Sequence, residues 1–153
     1  MKTPVAEGNP EGFPWGSNRP SRRARLVFAT GLAVAAGGYL FAHSQVFPGA
    51  LSDFSQVRFG AEAMLHGANP YGLSGTGLVF NSPRSVLYPA FAFVAAIPFT
   101  LLADNIASAL FVAISTFFLA YGATRGTWHR LPMFASLAFL VSVQLAQWSI
   151  IMT

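Results

Sequence analysis

Residues 52–71, SDFSQVRFGAEAMLHGANPY, decide how this chain is read. Between residues 26 and 103 the sequence has only four charged side chains, and three of them, Asp53, Arg58 and Glu62, fall in this stretch. Ser52 is a good helix N-cap, and Asp53 in the first turn sets a carboxylate at the positive end of the helix dipole. Phe54, Val57, Ala61 and Leu65 recur at i, i+3, i+7 and i+11 as one apolar stripe, while Arg58, Glu62 and His66 recur every four residues as a polar one. Gly67 is the expected C-terminal cap. The spacing predicts an amphipathic helix over 53–67, of the kind that lies at a membrane interface.

Apolar sequence flanks this helix on both sides. The 153 residues are 54% hydrophobic and 9% charged, with a mean hydropathy of +0.51, far from the composition of soluble domains. No charge occurs in 26–52, 85–103, 105–124 or 131–153, and each run is close to the ~20 residues that cross ~30 Å of hydrocarbon as a helix. The expected architecture is an all-α polytopic membrane protein. Its four transmembrane helices fall near 26–48, 86–103, 106–124 and 131–153, and an external loop over 49–85 carries the interfacial helix. Residues 1–25 read as a disordered cytoplasmic tail, rich in Pro, Gly and polar residues near its start and closed by Arg19, Arg22, Arg23 and Arg25.

Within the spans, Gly31, Gly37 and Gly38 favour close helix packing, Pro98 predicts a kink, and Asp104-Asn105 predicts a tight turn between the second and third spans. The chain stops inside the fourth run, which suggests a piece of a longer protein. With the four arginines cytoplasmic, counting spans puts loop 49–85 outside, Asp104 inside and residues 125–130 outside. Arg125 and Arg130 then sit on the wrong side for the positive-inside rule, unless they meet lipid phosphate or the span count is wrong.

Several function classes fall away. The pI of about 10.1 does not signal nucleic acid, because four of the nine basic residues crowd before the first apolar run instead of forming a face that tracks phosphates. There is no cysteine, no Gly-rich phosphate loop, no metal-spaced His or Cys set and no nucleophile elbow, so neither a cofactor nor a metal is expected.

An Asp53-Phe54 pair after the first span, a short Ala- and Leu-containing helix, the turn Gly67-x-x-Pro70-Tyr71 and the Tyr88-Pro89 pair opening a Pro-containing segment resemble the GT-C class of polytopic glycosyltransferases. The order and spacing are most similar to glycosyltransferase family 87, which contains polyprenyl-phosphate-mannose-dependent mannosyltransferases of bacterial envelopes. Gln147 matches a glutamine that the family carries after a glycine, which here is Ala146; Val57 and Ala90 stand where the family often has Tyr and Pro. The resemblance covers roughly residues 26–153.

It implies a hexosyl transfer, mannosyl above all, from a polyprenyl-phosphate donor to an envelope glycolipid or glycan acceptor at the outer face of the plasma membrane. Asp53 inherits the role of catalytic base, taking the proton of the acceptor hydroxyl. Arg84, Arg58 and Arg130 are the cations that could face the departing phosphate, and Glu62, Tyr71 and Tyr88 are candidate substrate contacts.

Each residue also has an ordinary reading. Asp53 is a helix-capping carboxylate, and Glu62 pairs with Arg58 and His66 along an exposed helix face. Tyr71, Tyr88, Trp128 and Trp148 are belt aromatics or core, and Gln147 bonds between helices. The competing function is a small non-enzymatic membrane protein whose 53–67 helix anchors it or contacts a partner.

Overall fold

The structure, a computed structural model, describes residues 20–47, 52–73 and 88–146. Among them every regular element is helical: α1 (Arg22–Val46), α2 (Asp53–Leu65), a 3₁₀ turn (Pro70–Leu73), α3 (Ala90–Ala96), a second 3₁₀ turn (Ile97–Leu101), α4 (Asp104–Ala123), a third (Leu131–Ala135) and α5 (Leu137–Gln144).

Among the described residues two helices are long and apolar enough to cross a membrane, α1 with 25 residues and α4 with 20. At 1.5 Å per residue they reach about 37 and 30 Å. They pack antiparallel. Near one end the Arg25 guanidinium donates to the Tyr121 carbonyl at 2.6 Å, and midway Gly37 lies so close to α4 that a Cβ there would stand 2.9 Å from the Ala109 carbonyl oxygen. Small residues are prominent among the buried positions of both helices, Ala29, Ala33, Ala36 and Gly37 on α1 and Ala107, Ser108, Ser115, Thr116 and Ala120 on α4, and Gly37 sits against Ala109 and Ala113. Such side chains let two backbones approach closely enough for dispersion to hold them.

The segment expected to be the second span forms, among the described residues, a helix shorter than the two long ones. Its α-helix lasts seven residues and changes to a five-residue 3₁₀ turn at Ile97, one residue before Pro98, so the two pieces reach only about 20 Å. It runs beside α2 and returns to the same end of the bundle, where the Thr100 and Leu102 carbonyls meet Arg58. The expected fourth span is interrupted as well: a 3₁₀ turn is followed by α5 of eight residues, with Ser136 as its cap, and 147–153 lie outside the described residues.

Helix α2 starts and stops as its sequence predicts. Ser52 Oγ accepts from the Ser55 amide at 3.1 Å. The other end closes with Gly67 at φ +70, where the Gly67 and Ala68 amides donate to the Met64 and Ala63 carbonyls. Its apolar stripe, however, is not left for a membrane surface. Phe54, Val57 and Ala61 are fully buried against α3, α4 and the 97–101 turn, while Leu65 alone of the stripe is 55% exposed. The helix is a structural element of the bundle.

The contacts group residues that the span count had set apart. Asp104 receives a hydrogen bond from Ser55 at 2.9 Å, so it lies at the same end of the bundle as the start of α2. The 125–135 segment returns to the start of α1, where Phe28 packs edge-on against Trp128 and Phe134, each with ring centroids 5.8 Å apart. Arg125 and Arg130 therefore lie at the same end of the bundle as Arg22, Arg23 and Arg25.

Candidate functional site at the acidic end

Asp53 opens α2, directly after its cap, and its backbone N–H donates to the Leu145 carbonyl just beyond α5 at 2.9 Å. That bond ties the α2 N-terminus to the last described turn of the chain. Beside it is Tyr88, just ahead of α3, whose hydroxyl is pushed above the ordinary tyrosine pKa of 10.0, first by burial and then by the Asp53 carboxylate. The Tyr71 hydroxyl donates to the Tyr88 carbonyl at 3.1 Å, and the Tyr71 ring meets Phe93 edge-on at 5.5 Å. Phe93 in turn lies over Gly60, where an added Cβ would come within 2.6 Å of its ring. The absence of a side chain at residue 60 therefore lets α3 close on α2. Asp53, Tyr71 and Tyr88, three residues singled out in the sequence, are thereby gathered at one corner.

Arg58 and Glu62 are elsewhere. Five residues at 3.6 per turn carry Arg58 about 140° around α2 from Asp53. Its side chain is 11% exposed, and its guanidinium donates to the carbonyls of Phe99, Thr100 and Leu102 at 3.4, 3.4 and 3.0 Å. These carbonyls close a 3₁₀ turn, where the Phe99 carbonyl also accepts from the Leu102 amide at 3.1 Å, and Arg58 caps the turn's end. It also lies 3.9 Å from both Glu62 and Asp104. Glu62 is half exposed and pairs with Arg58 as the helical spacing predicts. His66 Nδ1 lies 2.8 Å from the Glu62 backbone carbonyl, so its partner is main chain.

Arg130 is at the other end of the bundle, as the N-cap of the 131–135 turn, and is not brought to Asp53. Arg84, Gln147 and Trp148 lie outside the described residues. Among the described residues no three His, Cys, Asp or Glu side chains come together as metal ligands.

Sequence reading missed a buried polar chain. Ser108 and Ser52 hydroxyls are 3.1 Å apart, Ser52 and Ser55 are 2.9 Å apart, and Ser55 donates to the Asp104 carboxylate at 2.9 Å. Each hydroxyl has one proton. Because Ser55 gives its own to Asp104, Ser52 must donate to Ser55 and Ser108 to Ser52, so the chain is polarised toward the carboxylate. Ser52 and Ser55 at i, i+3, and Asp104 and Ser108 at i, i+4, are each legible as same-face pairs. That the two pairs meet is not legible, since 56 residues separate Ser52 from Ser108.

One further feature bears on the site. Ala146, fully buried and next to Leu145, adopts φ +48, a left-handed conformation that L-residues avoid and glycine accepts. Between α1 and α5 runs an open apolar groove of about 520 Å³, lined by Leu32, Ala36 and Tyr39 on one side and Leu140, Val143 and Gln144 on the other. Its Gln144 end adjoins Leu145 and hence the Asp53 amide.

No family model, no curated protein and no solved structure matches this chain.

Proposed function

We propose that this is a membrane glycosyltransferase that moves a hexosyl group, mannosyl in the first instance, from a polyprenyl-phosphate donor to an envelope glycolipid or glycan. Asp53 is the base. It takes the proton of an acceptor hydroxyl as that oxygen bonds to the anomeric carbon, the anomeric carbon–oxygen bond to phosphate breaks, and polyprenyl phosphate leaves as an anion carrying the bonding pair. Phosphate is a good leaving group, so no strong acid is needed.

The observation that carries the reading is the hydrogen bond from the Asp53 backbone N–H to the Leu145 carbonyl, one residue beyond Gln144 in the wall of the apolar groove. A prenyl chain suits a groove of Leu, Ala and Val side chains open to the hydrocarbon, and its phosphate end would then emerge beside Gln144 and Leu145, whose carbonyl accepts from the Asp53 amide. Tyr71 and Tyr88 offer aromatic and hydroxyl groups to a sugar at the same corner. The left-handed Ala146 adds support, since it occupies the position where the resembled family has glycine. Packing of Phe54, Val57 and Ala61 inside the bundle weighs against the anchoring reading, because it uses up the stripe that an anchor would insert.

In this reading α1 and α4 cross the plasma membrane, the arginine-rich end is cytoplasmic, and Asp53 faces the outside; the shorter helices pack against the crossing pair. The test is transfer of labelled mannose from polyprenyl-phosphate mannose by membranes holding the full-length protein. Asp53→Asn keeps the Ser52 cap and the amide bond to Leu145, and the expected loss is about 10²- to 10⁴-fold in turnover. Turnover within twofold of wild type would remove Asp53 from the mechanism.

A further inference from the structure

The charged side chains of the described residues divide cleanly between the two ends of the bundle. Asp53, Arg58, Glu62 and Asp104 are at one end; Arg22, Arg23, Arg25, Arg125 and Arg130 are at the other, with no carboxylate among them. The five arginines come from two segments about a hundred residues apart, and specific contacts hold those segments together. Arg25 lies over the Tyr121 ring with its guanidinium carbon 4.1 Å from the centroid while donating to the Tyr121 carbonyl, and Trp128 and Phe134 pack on Phe28. Arg22, Arg23, Arg125 and Arg130 remain exposed.

From this arrangement we infer that the basic end is a docking face for anionic phospholipid headgroups, built jointly by the α1 N-terminus and the 125–130 corner. Its charge complements an anionic leaflet. Its position at the end of two span-length helices, with exposed Val27 and Phe118 facing outward beside it, sets the guanidinium groups at headgroup depth. Tyr121 and Trp128 lie at the same level, where aromatic rings favour the interface. Nucleic acid does not suit a ring of arginines bounded by hydrocarbon-facing side chains. The face is independent of the transferase reading, which concerns the opposite end.

The experiment measures the thermal unfolding midpoint of the protein in nanodiscs of neutral phosphatidylcholine and in discs with an increasing phosphatidylglycerol fraction. The midpoint is expected to rise with the anionic fraction and to fall back as salt is raised. Arg22→Gln with Arg23→Gln, and separately Arg125→Gln with Arg130→Gln, should each remove roughly half of the rise while leaving the midpoint in neutral discs unchanged. Inorganic phosphate added to neutral discs should produce no rise. An equal rise in wild type and both double variants, or a rise that depends on the Arg22 and Arg23 pair alone, overturns the joint face. Should a variant fail to fold, the cysteine-free chain allows single cysteines at Ser21 and Thr127 to be labelled with an impermeant reagent; labelling from opposite sides of the membrane overturns it as well.

Discussion

The Ser55 hydroxyl donates to the Asp104 carboxylate at 2.9 Å, joining the first turn of α2 to the first turn of α4 across 49 residues of chain. Asp104 is at the N-terminus of α4, where the helix dipole already favours a negative charge, and Ser55 is fully buried. The bond therefore fixes the end of the bundle that holds Asp53. Ser55→Ala should cost about 1–3 kcal/mol, the range for a hydrogen bond to a charged group with a buried partner left behind. Ser44→Ala, which removes an exposed hydroxyl bond to the Phe41 carbonyl, should cost little. Denaturant unfolding in detergent micelles, followed by circular dichroism, measures both.

Glycine substitutions should separate the close approaches from the open positions. Gly37→Ala sets a methyl 2.9 Å from the Ala109 carbonyl, a backbone atom that cannot step aside, so α1 and α4 must move apart at a cost of about 1–3 kcal/mol. Gly60→Ala meets the Phe93 ring at 2.6 Å, and pairing it with Phe93→Leu should recover part of the loss in a double-mutant cycle. Gly31→Ala and Gly38→Ala meet nothing within 4 Å on helix α1 and should be neutral or stabilising by up to about 1 kcal/mol.

Tyr88 predicts a pH dependence in the alkaline range. Its pKa is raised in the folded protein, chiefly by burial and secondarily by Asp53, so the fold binds the phenolic proton more tightly than the unfolded chain does. This contribution to stability is present below the ordinary tyrosine pKa of about 10 and is lost as pH rises through the folded value. The phenolate absorbance of wild type should contain a late-titrating component that Tyr88→Phe removes. Asp53→Asn should shift it downward only in part, because burial persists.

At Ala146 the left-handed backbone opposes an L-side chain by roughly 1–2 kcal/mol. Replacing it with glycine removes that strain but adds unfolded-state entropy of about 0.4–1 kcal/mol and gives up a buried methyl. Ala146→Gly should therefore be close to neutral, whereas Ala146→Val, β-branched at the same φ, should destabilise strongly. Unfolding midpoints of the two variants against wild type check the ordering.

The one-dimensional pattern of this chain determined its helical class, both long apolar helices, and α2 from its Ser52 cap to its Gly67 terminus. These depend on neighbours within a few residues, namely hydroxyls and carboxylates at helix starts, glycine at a positive φ, and apolar side chains at helical spacing. Tertiary structure alone decided which way the elements face. Apolar runs near Pro98 and Ser136 look like spans by composition, yet proline ends one α-helix and a cap begins another, and their packing against α2 and α1 sets their course. The same holds for the site. Arg58 carries a charge and a helical position that suit phosphate, but the carbonyls at the end of the 97–101 turn claim its donors. Asp104 has a turn signal in the sequence, and in the fold it also accepts from Ser55. Contacts between residues 49 or 56 positions apart follow from how buried surfaces fit together, and hydropathy along the chain does not record that fit.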